Sequence, residues 1–150
     1  MPAEENKVLM RRFIDGWNKG DMAALNRVID ETVDASFINH SAATPEDARG
    51  PDGVKNVFGS FRAAFPDGRT TIEDMVAEGD MVVTRWTFRG THRGEFAGLS
   101  PTGRRVEMTG INIDRIADGR FVERWYEMDR LGLMSQLGAT PDTGQDEAPG

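Results

Sequence analysis

The chain has 150 residues, a net charge of −7, a hydrophobic share of 38% and no cysteine. This length predicts one domain with one core, and the absence of cysteine excludes disulfides and a thiolate nucleophile. The acidic balance and the scattered basic residues argue against nucleic-acid binding, which depends on a basic face. No stretch approaches the roughly 20 apolar residues of a membrane helix, and the N-terminus does not resemble a secretory signal. We therefore expect neither a nucleic-acid nor a membrane partner, and a cytoplasmic location.

Helices are predicted in the first half of the chain. The first has apolar residues four positions apart, at Leu9, Phe13 and Trp17. Asp21 fits the N-cap of a second helix, and Pro51 fits the first turn of a third. The segment 37–40 between these two helices has the composition of a short strand.

The region from 70 to 129 is predicted to form antiparallel strands, over residues 70–77, 81–90, 105–116 and 120–128. Two of the links are tight turns, and hairpins of this length cannot join parallel strands. A short helix at 131–137 completes a domain over residues 1–138, and residues 139–150 have the composition of a disordered tail. This order of elements predicts an α+β fold: a cone-shaped α+β barrel in which a curved mixed or antiparallel sheet and the N-terminal helices enclose a pocket.

Several separated motifs occur along the second half of the chain. They are AFPD (64–67), AEGD (77–80), RWTFRGTHRGEFAGLSPTGRRV (85–106), RIADGRFVERW (115–125) and D-x-x-G-L-x-x-Q-L-G (129–138). Together with FINH (37–40) and PDGV (51–54), they resemble the SnoaL-like polyketide cyclase, or ester cyclase, family of the nuclear transport factor 2-like superfamily. The resemblance extends over nearly the whole chain up to Gly138.

The resemblance implies a ring closure by an intramolecular aldol reaction, without a metal or an organic cofactor. Asp129 matches the general acid/base of the family, and His40 matches a histidine that lines the same cavity. The family also has a histidine or glutamine on the preceding strand, where this chain has Asn112 and Asp114. The polar set of the pocket is therefore incomplete relative to the family.

The residues alone leave the role of Asp129 open, because it also fits the N-cap of the last helix and a capping side chain points at backbone N–H groups. Strict alternation puts Asp129 on the same face as Trp125, a candidate wall for a flat ligand, although a bulge would break this argument. The other predicted substrate-binding residues are Asn112, Trp86, Phe88, Met108, Phe13 and Trp17. No histidine pair has metal-ligand spacing, so no metal site is expected.

Three functions compete at this point. The first is a cyclising or isomerising enzyme for a hydrophobic, enolisable molecule, with Asp129 as acid/base and His40 and Asn112 as orienting groups. The second is a non-catalytic module that binds a small apolar ligand. The third is an epoxide hydrolase, whose carboxylates and arginine would be Asp114, Asp129 and Arg85. The alternating residues Ile111 and Ile113 predict an apolar outer face and, with the resemblance, a homodimer.

Overall fold

The computed structural model describes residues 2–139, so the predicted tail lies outside the described residues from position 140 onward. The α-helices are α1 (Pro2–Asn18), α2 (Met22–Thr32), α3 (Gly50–Ala64) and α4 (Arg130–Gln136). The strands are β1 (Val33–Asn39), β2 (Arg69–Glu78), β3 (Met81–Thr91), β4 (Arg105–Ala117) and β5 (Arg120–Met128). Within this range no helix combines the length and the apolar character that crossing a membrane requires.

The strands form one sheet in the order β1-β5-β4-β3-β2. The neighbours from β2 to β5 are antiparallel, whereas β1 runs parallel to β5, which makes the sheet mixed. The sheet curves over the helices. It is not closed, because β1 and β2 lie at its two edges and do not pair with each other. The predicted α+β class is confirmed.

The first strand is longer than the sequence indicates, because it starts at Val33 directly after α2. The Asp34 carboxylate accepts hydrogen bonds from the backbone and the hydroxyl of Ser36, and the pairing of β1 with β5 is irregular between Val33 and Ile38. This local arrangement exposes polar residues in mid-strand and hides the period-2 pattern that identifies a strand.

The helices cover the concave face of the sheet and form the core with it. α1 contributes Met10, Phe13 and Trp17, each at most 2% exposed. The Phe13 ring packs edge-on against Phe58 of α3 at 5.1 Å and against Phe121 of β5 at 5.7 Å. One aromatic cluster thus joins two helices to the sheet, since such edge-on pairs add to the free energy gained by burial.

The outer face of the sheet carries exposed apolar residues. Ile111 is 46% exposed and Ile113 is 36% exposed. This is the surface on which the sequence predicts a homodimer, and the dimer stays a prediction.

The loop after β3 packs tightly against the end of α3. The backbone N–H groups of Arg93 and Gly94 donate to the Ala64 carbonyl at 2.9 and 3.1 Å. A Cβ atom on Gly94 would overlap the Ala63 carbonyl oxygen, whereas a Cβ atom on Gly59, in the interior of α3, would meet nothing within 4 Å.

We therefore expect Gly94→Ala to lower the free energy of unfolding by about 1–3 kcal/mol, because the backbone must move to relieve the overlap. Gly59→Ala is the matched control and is expected to raise the same quantity by about 0.5–1 kcal/mol, because alanine loses less backbone entropy in a helix. Urea unfolding of both variants measures the two effects. A Gly94→Ala protein as stable as Gly59→Ala would contradict the close packing of this loop.

Candidate active site

A cavity of about 100 Å³ lies between the helices and the concave face of the sheet. Two helices supply an apolar wall, and the strands supply the opposite wall. The apolar lining residues are Met10, Ile14, Trp17, Val54, Val57, Phe58, Phe61, Trp86, Phe88, Met108 and Met128. An apolar cavity with a few convergent polar groups is the usual form of a small-molecule site.

Five of the six polar lining residues form a continuous row across four strands, and the sixth is Thr70 of β2. Thr84 of β3 is paired with Asn112 of β4, and Asn112 is paired with Tyr126 of β5. Two residues away along β5, Arg124 is paired with Asn39 of β1. Directly paired residues in a sheet share a face, so the register alone brings these five side chains to one part of the cavity wall.

A buried ion pair lies at one end of this row. Asp114 is 0% exposed and Arg124 is 5% exposed. The Arg124 Nε–H donates to Asp114 Oδ1 at 2.5 Å, while Oδ2 has no hydrogen-bond partner among residues 2–139. Burial raises the pKa of Asp114, and the charge of Arg124 opposes that rise without cancelling it.

Arg124 belongs to the cavity wall, whereas Asp114 does not. The central carbon of the Arg124 guanidinium lies 5.4 Å from the ring centres of Phe13 and Phe121 and 5.7 Å from that of Phe37. Aromatic faces attract a cation, and a water-poor site strengthens its field. The Nε–H bond to Asp114 fixes the position of the guanidinium among these rings.

Tyr126 and Asn39 complete the polar wall. The Asn39 Oδ1 atom accepts from the Ser41 backbone N–H at 2.9 Å. Burial raises the pKa of the Tyr126 hydroxyl, an effect that the neighbouring Asn39 side chain opposes. The phenol is therefore protonated at neutral pH and can donate a hydrogen bond or a proton.

Five of the predicted substrate-binding residues line the cavity: Trp17, Trp86, Phe88, Met108 and Asn112. Phe13 differs from the prediction, because its buried ring packs into the core beneath the wall, against Phe58 and Phe121. Its contact with the site is indirect, through the guanidinium of Arg124.

His40 and Trp125 lie on the outer face of the sheet, which corrects the expectation that they line the cavity. Their rings are stacked with centroids 4.7 Å apart, and His40 Nε2 lies 2.9 Å from Glu123 Oε2. Asn39 is directed inward, so its neighbour His40 is directed outward. In β5, the register with β4 shifts by one residue next to Phe121, and this bulge turns Arg124 inward and Trp125 outward.

Asp129 lies outside the cavity wall and caps α4. Its Oδ1 atom accepts from the Gly132 backbone N–H at 2.9 Å, and the residue is exposed. The structure thus has the capping geometry that the sequence allowed as an alternative. Arg85 is paired with Asp74 on the outer face, so the three residues considered for an epoxide hydrolase do not meet.

The sequence interpretation missed Arg124, Tyr126 and Asn39 as wall residues. The bulge in β5 reverses the facing of every residue from 123 to 128. No sequence pattern indicates this bulge, and an aromatic residue such as Trp125 is what an apolar wall would be expected to contain.

Comparison with known proteins agrees with this architecture. Residues 7–137 match the family model described as SnoaL-like polyketide cyclase. The aklanonic acid methyl ester cyclase DauD of Streptomyces sp. (strain C5) is 29% identical over 135 residues, which cover 87% of this chain and 80% of DauD. DnrD of Streptomyces peucetius, of the same name, is 28% identical over 134 residues, which cover 87% of this chain and 88% of DnrD.

Among solved structures, TsrD from Streptomyces laurentii is similar, with a TM-score of 0.80 and 34% identity over 91% of this chain and 96% of TsrD. The fold is the predicted nuclear transport factor 2-like one, with four helices and a five-stranded mixed sheet in residues 2–139. Because the family model covers most of its length, the chain belongs to the SnoaL-like polyketide cyclase family.

Proposed function

We propose that the chain closes a ring in a hydrophobic, enolisable small molecule by an intramolecular aldol-type reaction that needs no cofactor. The observation that carries this proposal is the guanidinium of Arg124, buried in an apolar cavity and held by Asp114. A fixed positive charge in a water-poor site stabilises a developing oxyanion far more than the same charge in water. The relatives named as aklanonic acid methyl ester cyclases support the reaction class.

The proposed chemistry begins with loss of a proton from the carbon beside a carbonyl group. Arg124 stabilises the enolate oxygen. No strong base is needed when the substrate already delocalises the charge of the enolate. The enolate carbon then forms a bond to a second carbonyl carbon of the same molecule. The proton that leaves carbon passes to water, because the phenol of Tyr126 is already protonated and cannot accept it. Tyr126 then donates its own proton to the new alkoxide and is reprotonated by that water, so the product is an isomer of the substrate.

In this proposal Asp129 has a structural role. An exposed carboxylate bound to a backbone N–H cannot reach a molecule inside the cavity without leaving its cap. In this proposal Arg124 and Tyr126 perform the polar roles that the family resemblance implies for Asp129 and His40.

Ring closure is expected to depend on Arg124. Removing Arg124 alone would leave Asp114 buried without a partner. The test variant is therefore Arg124→Met combined with Asp114→Leu, because an apolar pair often replaces a buried ion pair at little cost in stability. With aklanonic acid methyl ester as substrate, kcat should fall by about 100- to 1,000-fold, as for loss of an oxyanion donor. Product formation is followed by chromatography, and thermal unfolding shows that the variant is folded.

The matched control is Arg85→Met with Asp74→Leu, which removes an arginine–aspartate pair from the outer face. Its kcat should equal that of the original chain. A folded cavity variant with full activity would overturn the role of Arg124.

Stability is expected to depend on pH through Asp114. Because its pKa is raised on folding, the folded chain holds this proton more tightly than the unfolded chain does. The contribution to stability is therefore complete below about pH 4, the range of an ordinary aspartate, and is lost as the pH rises through the folded pKa. Urea unfolding between pH 4 and 8 should show the original chain losing stability relative to Asp114→Asn. A difference that grows in favour of the original chain would contradict the sign.

Asp129→Ala is expected to lower the free energy of unfolding by about 1 kcal/mol, as for loss of an N-cap. Asp21→Ala is the matched control, because Asp21 caps α2 by accepting from the Ala23 N–H at 2.9 Å. Both variants should keep the kcat of the original chain, measured at a temperature where both are folded. Loss of ring closure in Asp129→Ala alone would return the catalytic role to Asp129.

A second candidate function is a binding module for a small apolar ligand. The specific observation in its favour is that the cavity wall, within residues 2–139, contains no aspartate, glutamate or histidine. A chain that binds aklanonic acid methyl ester in the cavity without converting it would fit this function and exclude ring closure of that substrate.

A further inference from the structure

One amide on the cavity wall has its orientation fixed by a neighbouring side chain. The Trp86 Nε1–H of β3 donates to Asn112 Oδ1 of β4 at 3.0 Å. An indole nitrogen can only donate, so the atom facing it must be the amide oxygen. The amide NH2 group of Asn112 is thereby left to a bound molecule.

Gly110 makes this contact possible. It lies directly opposite Trp86 in the register of β3 and β4. A Cβ atom at position 110 would overlap the six-membered ring of the Trp86 indole. The missing side chain lets the indole lie across β4 and reach Asn112, two residues farther along that strand.

The rest of the polar wall has the same bias toward donors. The Asn39 oxygen is already taken by the Ser41 N–H, and Arg124 has only donors. Trp17, another wall residue, has a buried Nε1–H without a partner among residues 2–139. The hydroxyl groups can donate or accept, each amide oxygen on the wall already accepts one hydrogen bond, and the wall formed by the described residues has no carboxylate.

We propose that Trp86 and Gly110 act as positioning residues that hold Asn112 as a hydrogen-bond donor, and that the cavity thereby selects ligands with a carbonyl or phenolate oxygen at this point. A ligand of the same shape with an N–H group there would put two donors face to face and leave both unpaired, which is costly in a buried site. This inference deepens the proposed function by naming the ligand chemistry, and it rests on the same cavity.

The test compares two flat tricyclic probes, 9-fluorenone, which carries a carbonyl group, and carbazole, which carries an N–H group at the equivalent place. Equilibrium dialysis gives the Kd of each, and the ratio of the two Kd values is the readout. The original chain should bind fluorenone about 10-fold more tightly, the effect of about 1.4 kcal/mol from one mismatched buried hydrogen bond. In Trp86→Phe the amide of Asn112 is free to turn, so the ratio should fall toward one.

Asn112→Asp replaces the donor by an acceptor and should reverse the preference. The control is Trp125→Phe, because Trp125 lies on the outer face and its loss should leave the ratio unchanged. Gly110→Ala displaces the indole and should act like Trp86→Phe; if that variant fails to fold, Trp86→Phe carries the test. An equal affinity of the original chain for both probes, or a ratio that Trp86→Phe leaves intact, would overturn the proposal.

The binding ratio involves no turnover. A failure of ring closure with a preserved preference for fluorenone would count against the proposed reaction only. A lost preference together with normal ring closure would count against the orientation of Asn112 only.

Discussion

The burial of one ion pair determines how the rest of this cavity is built. Asp114 and Arg124 are both removed from water, and taking two charges out of water costs several kcal/mol for each ion before their attraction offsets it. The structure provides the compensation through the short Nε–Oδ1 bond and the surrounding aromatic rings. Such an arrangement is a poor means of stabilising a fold, and an apolar pair would serve as well. In the proposed reaction its role is the positive field that it maintains inside an apolar cavity.

The remaining polar groups depend on the same register. Once Arg124 faces inward beside Asn39, the alternation of β5 also directs Tyr126 to the wall, opposite Asn112. The proposed catalysis and the proposed selectivity therefore draw on one set of donors. Under both proposals, a ligand oriented by Asn112 would have its oxygen atoms among groups that stabilise negative charge, so binding and charge stabilisation would favour the same substrate chemistry.

Much of the fold could be predicted from the sequence, because the helices and the antiparallel strands have clear periodic patterns and caps. The parallel pairing of β1 could not, since it depends on a contact between Asn39 and Arg124 that no local pattern indicates. The site was predictable only in part. Trp86 and Asn112 follow from regular alternation, whereas one bulge in β5 exchanges the facing of Trp125 and Arg124. The family resemblance led to the right family, and local geometry then assigned Asp129 to a helix cap.

The parallel pairing of β1 with β5 has a consequence for the order in which the protein folds. The helices and the β2–β3 hairpin involve contacts that are close along the chain, and such contacts form early. The pairing of Ile38 with Glu123 joins segments more than half the chain apart, so it cannot form on the ribosome until β5 has emerged. A nascent chain can thus hold an apolar groove between helices and sheet well before it holds the charged centre. Acquisition of the polar row thus coincides with completion of the sheet.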